Sequence, residues 1–206
     1  MRHLITTLCL FPLLLGLASA QHTGLYITFS GGPAFPTGAY GDQSGDGSGY
    51  AQLGINGTAG VGFRLSRYLA LGAKFAFTQN PTMDDGPLVE DSPWKNNFFL
   101  ADLTGNLPLG SRFDLEANLM AGYNQAQFPD GSFQLGSLTI NNEGGSAGAF
   151  AMGGGLGLRY WLDDYVSFKL GATYLGSNPS LEQGENSIPQ NVRLLTTNFG
   201  ITLTMD

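Results

Sequence analysis

Cysteine is all but missing from this chain. The single one, Cys9, falls within the first twenty residues. From Gln21 onward there is no thiol for a disulfide, a thiolate metal site or a Cys–His catalytic pair. Histidine is almost as scarce. His3 and His22 are the only two, and both precede the first patterned segment. That removes a Ser-His-acid triad and histidine metal clusters, and no cofactor is implied. Charge is sparse, at 12% of residues, and leans acidic, with 9 basic against 16 acidic side chains. Setting Arg2 aside leaves 8 against 16, a net charge of −8. An acidic chain lacks the basic stripe that nucleic acid or an anionic lipid surface selects, so nucleic acid is not an expected partner. After the first twenty residues there is also no run of about 18 apolar residues, the length of a membrane helix. If this chain enters a membrane, it does so as strands.

The first twenty residues form a unit of their own. Arg2 and His3 give a short basic start, Leu4 to Leu17 is mostly apolar, and Ala18-Ser19-Ala20 is a small-residue cleavage pattern. The expected organisation is a signal peptide over 1–20, cleaved after Ala20, and one domain over 21–206. Thr6-Thr7-Leu8 ahead of Cys9 lacks the small residues of a lipoprotein signal.

The rest of the chain repeats a pattern of period two, which places successive side chains on opposite faces of a strand. The clearest unit is the hairpin from Gly148 to Leu175. Phe150, Met152, Leu156, Leu158, Tyr160 and Leu162 alternate with Ala151, Gly153, Gly155, Gly157, Arg159 and Trp161. After Asp163-Asp164, Val166, Phe168, Leu170, Ala172 and Tyr174 alternate with Ser167, Lys169, Gly171 and Thr173. Similar strands are read near Leu25–Phe35, Ala51–Ser66 and Leu69–Thr78, then from Phe99 to Leu107, Phe113 to Asn124 and Leu195 to Met205. Long loops (37–49, 79–96, 128–147 and 177–190) alternate with short turns at Ser66-Arg67, Pro108–Arg112 and Asp163-Asp164. The fold class expected is all-β: an eight-stranded antiparallel up-and-down transmembrane β-barrel, closed so that no edge is left unpaired. Phe63, Phe77, Phe113, Tyr123, Phe150, Tyr160, Tyr165 and Tyr174 lie near strand ends, where aromatics form interfacial girdles.

The chain resembles the small outer-membrane β-barrel family, the type of the OmpA transmembrane domain and OmpX. The segment Gly31-Gly32-Pro33-Ala34-Phe35-Pro36-Thr37-Gly38-Ala39-Tyr40-Gly41 resembles the start of the barrel-domain proteins common in Bacteroidota. The resemblance spans essentially Leu25 to Asp206. It implies export to the outer membrane of a Gram-negative cell. It also implies outer-membrane lipid and lipopolysaccharide as surroundings, and the barrel-assembly machinery as a partner. Family members often end in an aromatic read by that machinery, whereas this chain ends Thr204-Met205-Asp206. No peptidoglycan-binding domain is expected after the last strand. Lipid A deacylases of this size class use a Ser-His pair that this chain lacks.

The face opposite the apolar one is rich in Gly, Ala, Ser, Thr and Asn, and its few charges come in both signs. Arg64, Lys74, Arg159 and Lys169 share it with Asp102, Asp114 and Glu116. An eight-stranded barrel is just wide enough for side chains to fill, so these charges are expected to pair inside it. The expected pairs are Lys74 with Asp102, and Glu116 with Arg159 or Lys169. Inward glycines of the run Gly153–Gly155 are expected to make room for a bulky neighbour such as Trp161. Asp84-Asp85 and Glu90-Asp91 lie in a loop without an apolar pocket to shift a pKa, and read as solvated charge rather than an acid/base pair. Asp42 to Gly47 has a calcium-loop look, but the twelfth position is Leu53 where a bidentate Glu is required. Acidic loops sharing divalent cations with lipopolysaccharide phosphates is a weaker reading than plain solubility.

The functional reading is a non-enzymatic barrel with a structural role, or an interaction surface of four outward loops facing an extracellular partner. A narrow channel for small solutes or ions is the alternative. A secreted lipocalin-like binder, with the apolar face turned inward around a ligand, is the third. The membrane reading predicts that the protein fractionates with the outer membrane and changes its mobility on SDS gels only after boiling. A soluble protein with unchanged mobility would turn the two faces around.

Overall fold

The computed structural model describes residues 24–42, 44, 48–82, 92–129, 131–135, 138–142, 144–183 and 186–205. The signal segment 1–20, His22, Asp46, Gly47, Asp84, Asp85, Glu90, Asp91 and Asp206 lie outside them.

Twelve strands follow in chain order among the described residues: β1 (Leu25–Pro36), β2 (Gly54–Ser66), β3 (Leu69–Asn80), β4 (Trp94–Pro108), β5 (Phe113–Gln127), β6 (Gly131–Leu135), β7 (Leu138–Asn142), β8 (Ser146–Trp161), β9 (Val166–Ser177), β10 (Ser180–Gln183), β11 (Asn186–Pro189) and β12 (Val192–Met205). Eight of them close into one antiparallel barrel in the order β1-β12-β9-β8-β5-β4-β3-β2. These eight are 12 to 16 residues long, beyond the roughly 10 that a tilted strand needs to cross hydrocarbon. The other four form two separate hairpins, β6–β7 and β10–β11. Both fall in stretches that read from sequence as loop. Neither adds a strand to the barrel wall.

The period-two pattern sets the faces. Leu119 (68% exposed), Leu156 (65%), Phe150 (62%) and Phe199 (62%) point outward, while Thr78, Glu116, Asn124, Ser167 and Thr202 are buried in the bore. The apolar face is the outside, the reverse of a lipocalin-like binder. Aromatics also pair on the outer wall: Phe113 meets Tyr160 at 5.0 Å between ring centroids, and Phe75 meets Phe99 at 5.2 Å. Such neighbouring-strand contacts add to sheet stability.

The seam between the first and last strands runs from Leu25↔Met205 to Pro36↔Leu194. It is interrupted between Gly31↔Phe199 and Ala34↔Thr196, because Pro33 has no N–H to donate. Asn56 of β2 covers the gap from inside: its Nδ2 donates to the Gly32 carbonyl at 2.8 Å and to the Pro33 carbonyl at 3.0 Å. Gly32 permits the close approach, since a Cβ there would sit 2.1 Å from the Thr197 carbonyl oxygen.

Two expectations need correction. Strand two is expected from Ala51, but β2 begins at Gly54 and Ala51 forms only an isolated bridge with Thr82. The reason is local: Ala51 N–H is committed to the Tyr40 carbonyl at 3.1 Å, and Tyr50 has a φ of +51° that an extended strand does not allow. The inward glycines also make room for a different residue. No Cβ at Gly153, Gly154 or Gly155 would meet Trp161 first; the nearest atoms belong to Tyr174, Asn118 and Ala172. The bulky residue accommodated by glycine is Tyr26, whose hydroxyl would lie 2.4 Å from a Cβ at Gly62 and 3.0 Å from one at Gly72.

Asn56→Leu keeps the branched shape but removes the side-chain donor that the Gly32 and Pro33 carbonyls accept from. A loss of about 1–3 kcal/mol is expected, read as a lower urea midpoint of the barrel refolded in lipid; an unchanged midpoint would show the seam does not depend on Asn56.

Candidate functional site

The bore is the only candidate site that the sequence offers, and its contents sort into three layers. Alternation carries each inward residue there: Lys74 from β3, Asp102 from β4, Glu116 from β5, Arg159 from β8 and Lys169 from β9.

The middle layer holds ion pairs. Lys74 Nζ lies 3.3 Å from Asp102 Oδ1, and Thr104 Oγ1 donates to the other carboxylate oxygen at 3.0 Å. Glu116, 1% exposed, is shared: Lys169 Nζ is 2.5 Å from Oε2, and Arg159 contacts Oε1. A carboxylate removed from water is tolerated only with such compensation. Register explains the convergence. Glu116 faces Gly157 across the β5–β8 ladder, and Gly157 in turn faces Gly171 on β9. A Cβ at Gly157 would lie 3.2 Å from Lys169 Cε, so the absent side chain there leaves space for the Lys169 stem.

At the short-turn end the structure separates the remaining two predicted residues from that network. Asp114 makes no ion pair among the described residues; it accepts the indole N–H of Trp161 at 2.7 Å. Arg64 makes none either. Its guanidinium lies 4.5 Å over the Trp161 ring, with that of Arg159 at 5.3 Å from the same ring. Cation–π contact supplies part of the stabilisation that a carboxylate would otherwise give. This end opens into a vestibule of about 560 Å³.

The third layer, at the long-loop end, was not foreseen. The chain after β1 folds as a single 3₁₀ turn, Gly38–Tyr40, and drops Tyr40 into the mouth with no exposed surface. Tyr40 packs edge-on against Trp94 at 5.4 Å, and Trp94 tilts against Phe128 at 4.8 Å. Below them Phe98, Leu100, Met120, Leu175, Val192 and Leu194 form one buried cluster from β4, β5, β9 and β12. Asparagines tie it to the wall. Asn96 donates to the Tyr40 hydroxyl at 3.1 Å; Asn124 donates to Asn96 Oδ1 at 3.0 Å and to Ser177 Oγ at 2.8 Å. Trp94 Nε1 donates to the Gly49 carbonyl at 2.8 Å. Burial pushes the Tyr40 phenol far above its ordinary range, against the opposing effect of the Asn96 hydrogen bond, so it stays protonated. Between plug and ion pairs remains a cavity of about 40 Å³, bordered by polar and apolar side chains, among them Thr28, Ser30, Lys74, Asn118, Leu100 and Met120. That is room for ordered water rather than an organic ligand.

Among the described residues no group of three or more His, Cys, Asp or Glu side chains is arranged to hold a metal ion. Of the calcium-loop stretch, Asp42 is described and Asp46 is not.

Comparison with known proteins agrees with this architecture. Residues 7–205 match the family described as the outer membrane protein beta-barrel domain. No curated protein matches the chain. Among solved structures, Neisserial surface protein A is 15% identical, with 88% of this chain and 97% of that one aligned at a TM-score of 0.58. A major outer membrane protein from Thermus thermophilus is 14% identical, with 88% and 99% covered and a TM-score of 0.57. The outer membrane protein OprG from Pseudomonas aeruginosa is 16% identical, with 89% and 98% covered and a TM-score of 0.52. At such identities the likeness is one of fold.

Glu116→Gln deprives buried Arg159 and half-buried Lys169 of their shared carboxylate. It is expected to cost about 3–5 kcal/mol, measured as urea unfolding in lipid, whereas Glu116→Asp recovers part of the loss. A Gln variant as stable as the parent would mean that the interior cations are solvated by water.

Proposed function

We infer, for a chain that belongs to the outer membrane protein β-barrel domain family, a non-enzymatic and non-conducting role in the outer membrane: a rigid scaffold that displays its four long connections as an interaction surface. One observation carries the reading. The bore is filled, by the apolar plug around Tyr40, Trp94 and Phe98 at one end and by the Glu116 and Lys74 ion pairs below it. Side chains that fill a bore this narrow leave no path for a hydrated ion.

The long connections face outward in this proposal and the short turns face the periplasm, the orientation usual for outer-membrane barrels. Rigid walls with variable loops are the arrangement by which barrels carry recognition. Lipopolysaccharide surrounds the loops and the extracellular partner is a macromolecule met at the cell surface. The absence of a histidine from the strands, together with the satisfied pairing of Glu116, Lys74 and Asp102, supports the non-enzymatic part. The alternative, a narrow channel, requires both the plug and the ion-pair layer to move aside.

The purified protein in planar bilayers is expected to leave the membrane silent after verified insertion, and so is Tyr40→Gly combined with Trp94→Gly, because the rest of the cluster and the ion-pair layer still close the bore. Reproducible unitary steps from the unaltered protein would overturn the non-conducting reading and favour the channel.

A further inference from the structure

We propose that the short-turn mouth of the barrel is a binding site for a phosphate-type oxyanion, with Arg64 as its floor and Arg67 at its rim. The inference starts from the charges of the bore. Among the described residues Arg64, Lys74, Arg159 and Lys169 are the cations of the bore, and Asp102, Asp114 and Glu116 are its anions; what separates the four cations is whether each has a carboxylate in contact.

The geometry identifies the cation that lacks such a contact. Lys74 has Asp102, and Arg159 and Lys169 share Glu116. Asp114 is turned toward the Trp161 indole. Arg64 alone of the four cations has no ion pair among the described residues. It is only 9% exposed, and its Nη2 is buried without a hydrogen-bond partner. A buried guanidinium with an unused donor is costly, and the cation–π contact with Trp161 offsets only part of that.

What remains accessible of Arg64 faces the vestibule of about 560 Å³, ample for a tetrahedral oxyanion and its water. The other charges around that space are Arg67, Arg112, Asp114, Asp163 and Asp164. Asp163 is occupied in closing the turn, where it accepts the N–H groups of Tyr165 and Val166 at 2.8 and 2.7 Å. Arg112 spends one Nη on the Tyr160 hydroxyl at 3.2 Å. Arg67 is exposed and makes no ion pair among the described residues. Trp161 holds the Arg64 plane from one face and is itself held by Asp114, so the guanidinium fork is oriented in advance. A planar fork of donors matches an oxyanion better than a spherical halide. Asp114 is the one carboxylate that opposes the ligand from the bore side.

The phosphate group has two possible sources, a soluble phosphate and a phospholipid headgroup from the adjoining leaflet, and the test separates them. The ¹⁵N-labelled chain in phosphate-free maltoside micelles gives two indole resonances, from Trp94 and Trp161. At fixed ionic strength in chloride, inorganic phosphate is expected to shift the Trp161 signal saturably and leave the Trp94 signal in place. The same titration with monomeric short-chain phosphatidylglycerol tests the lipid source; the tighter of the two assigns it. Arg64→Gln is expected to abolish the response, Arg67→Gln to weaken it several-fold, and Asp114→Asn to tighten it. Arg67 is at the rim, so its variant decides the matter even if Arg64→Gln does not refold. No saturable shift of Trp161 with either probe, or an undiminished response in Arg64→Gln, would overturn the site. None of these outcomes depends on whether the barrel conducts.

Discussion

Closure of the wall is the constraint from which the rest of this structure follows. In hydrocarbon no water is present to satisfy a backbone N–H or C=O, so a strand structure spans a membrane only if every ladder finds a partner. Here that requires β1 to pair with β12, the two ends of the chain's domain. Closing eight strands fixes the bore at about the width of two facing side chains. Wall and filling are therefore not independent. Where Pro33 breaks the seam ladder, the repair comes from the filling, through Asn56. Where Tyr26 lies along the inner wall over β2 and β3, the wall gives way, through Gly62 and Gly72.

A narrow bore also dictates what charges do inside it. Surface ion pairs contribute little, because water competes for both partners and salt screens them. In the bore the competition is reduced and the desolvation cost is raised, so an unpaired group is the expensive state. The arrangement observed meets this in two ways: one carboxylate, Glu116, serves two cations, while another, Asp102, holds Lys74 and a threonine hydroxyl. These contacts tie β3 to β4 and β5 to β8 and β9 across the interior, adding cross-links to the ladders in the wall.

The wall was legible in the sequence and the plug was not, for a physical reason. Period-two alternation reports a difference between two faces. Along Leu115–Tyr123 or Val166–Tyr174 one face meets lipid and the other meets small polar groups, so strand, facing and neighbours can all be read. The same alternation set Arg64, Lys74, Asp102, Asp114, Glu116, Arg159 and Lys169 on the inner face. At the long-loop end both faces are apolar. Phe98-Phe99-Leu100-Ala101 has one member inside, one outside, and so on, and the contrast that alternation needs is gone. Tyr40 was hidden for a second reason. It lies in a Gly-, Asp- and Ser-rich stretch whose composition reads as solvated loop. Only the tertiary partners Trp94 and Asn96 bring it inside. The pairs expected from the sequence, Lys74 with Asp102 and Glu116 with Arg159 or Lys169, form in the structure, whereas the partner of Asp114 is set by side-chain reach at the strand end, which period two does not encode. Hence Asp114 appeared as one of a network when its partner is the Trp161 indole.

The two ends of the bore differ in kind, and the difference bears on the unpaired cation. The long-loop end is closed by an apolar cluster tied to the wall by asparagines, and the short-turn end opens into the vestibule. The ion pairs nearest the plug give each of Lys74, Arg159 and Lys169 a carboxylate. Arg64 is the bore cation without one among the described residues, and it borders the open vestibule. There a counter-charge can be supplied by something outside the chain. The cation–π contact with Trp161 holds the guanidinium without neutralising it, so its attraction for an anion survives burial.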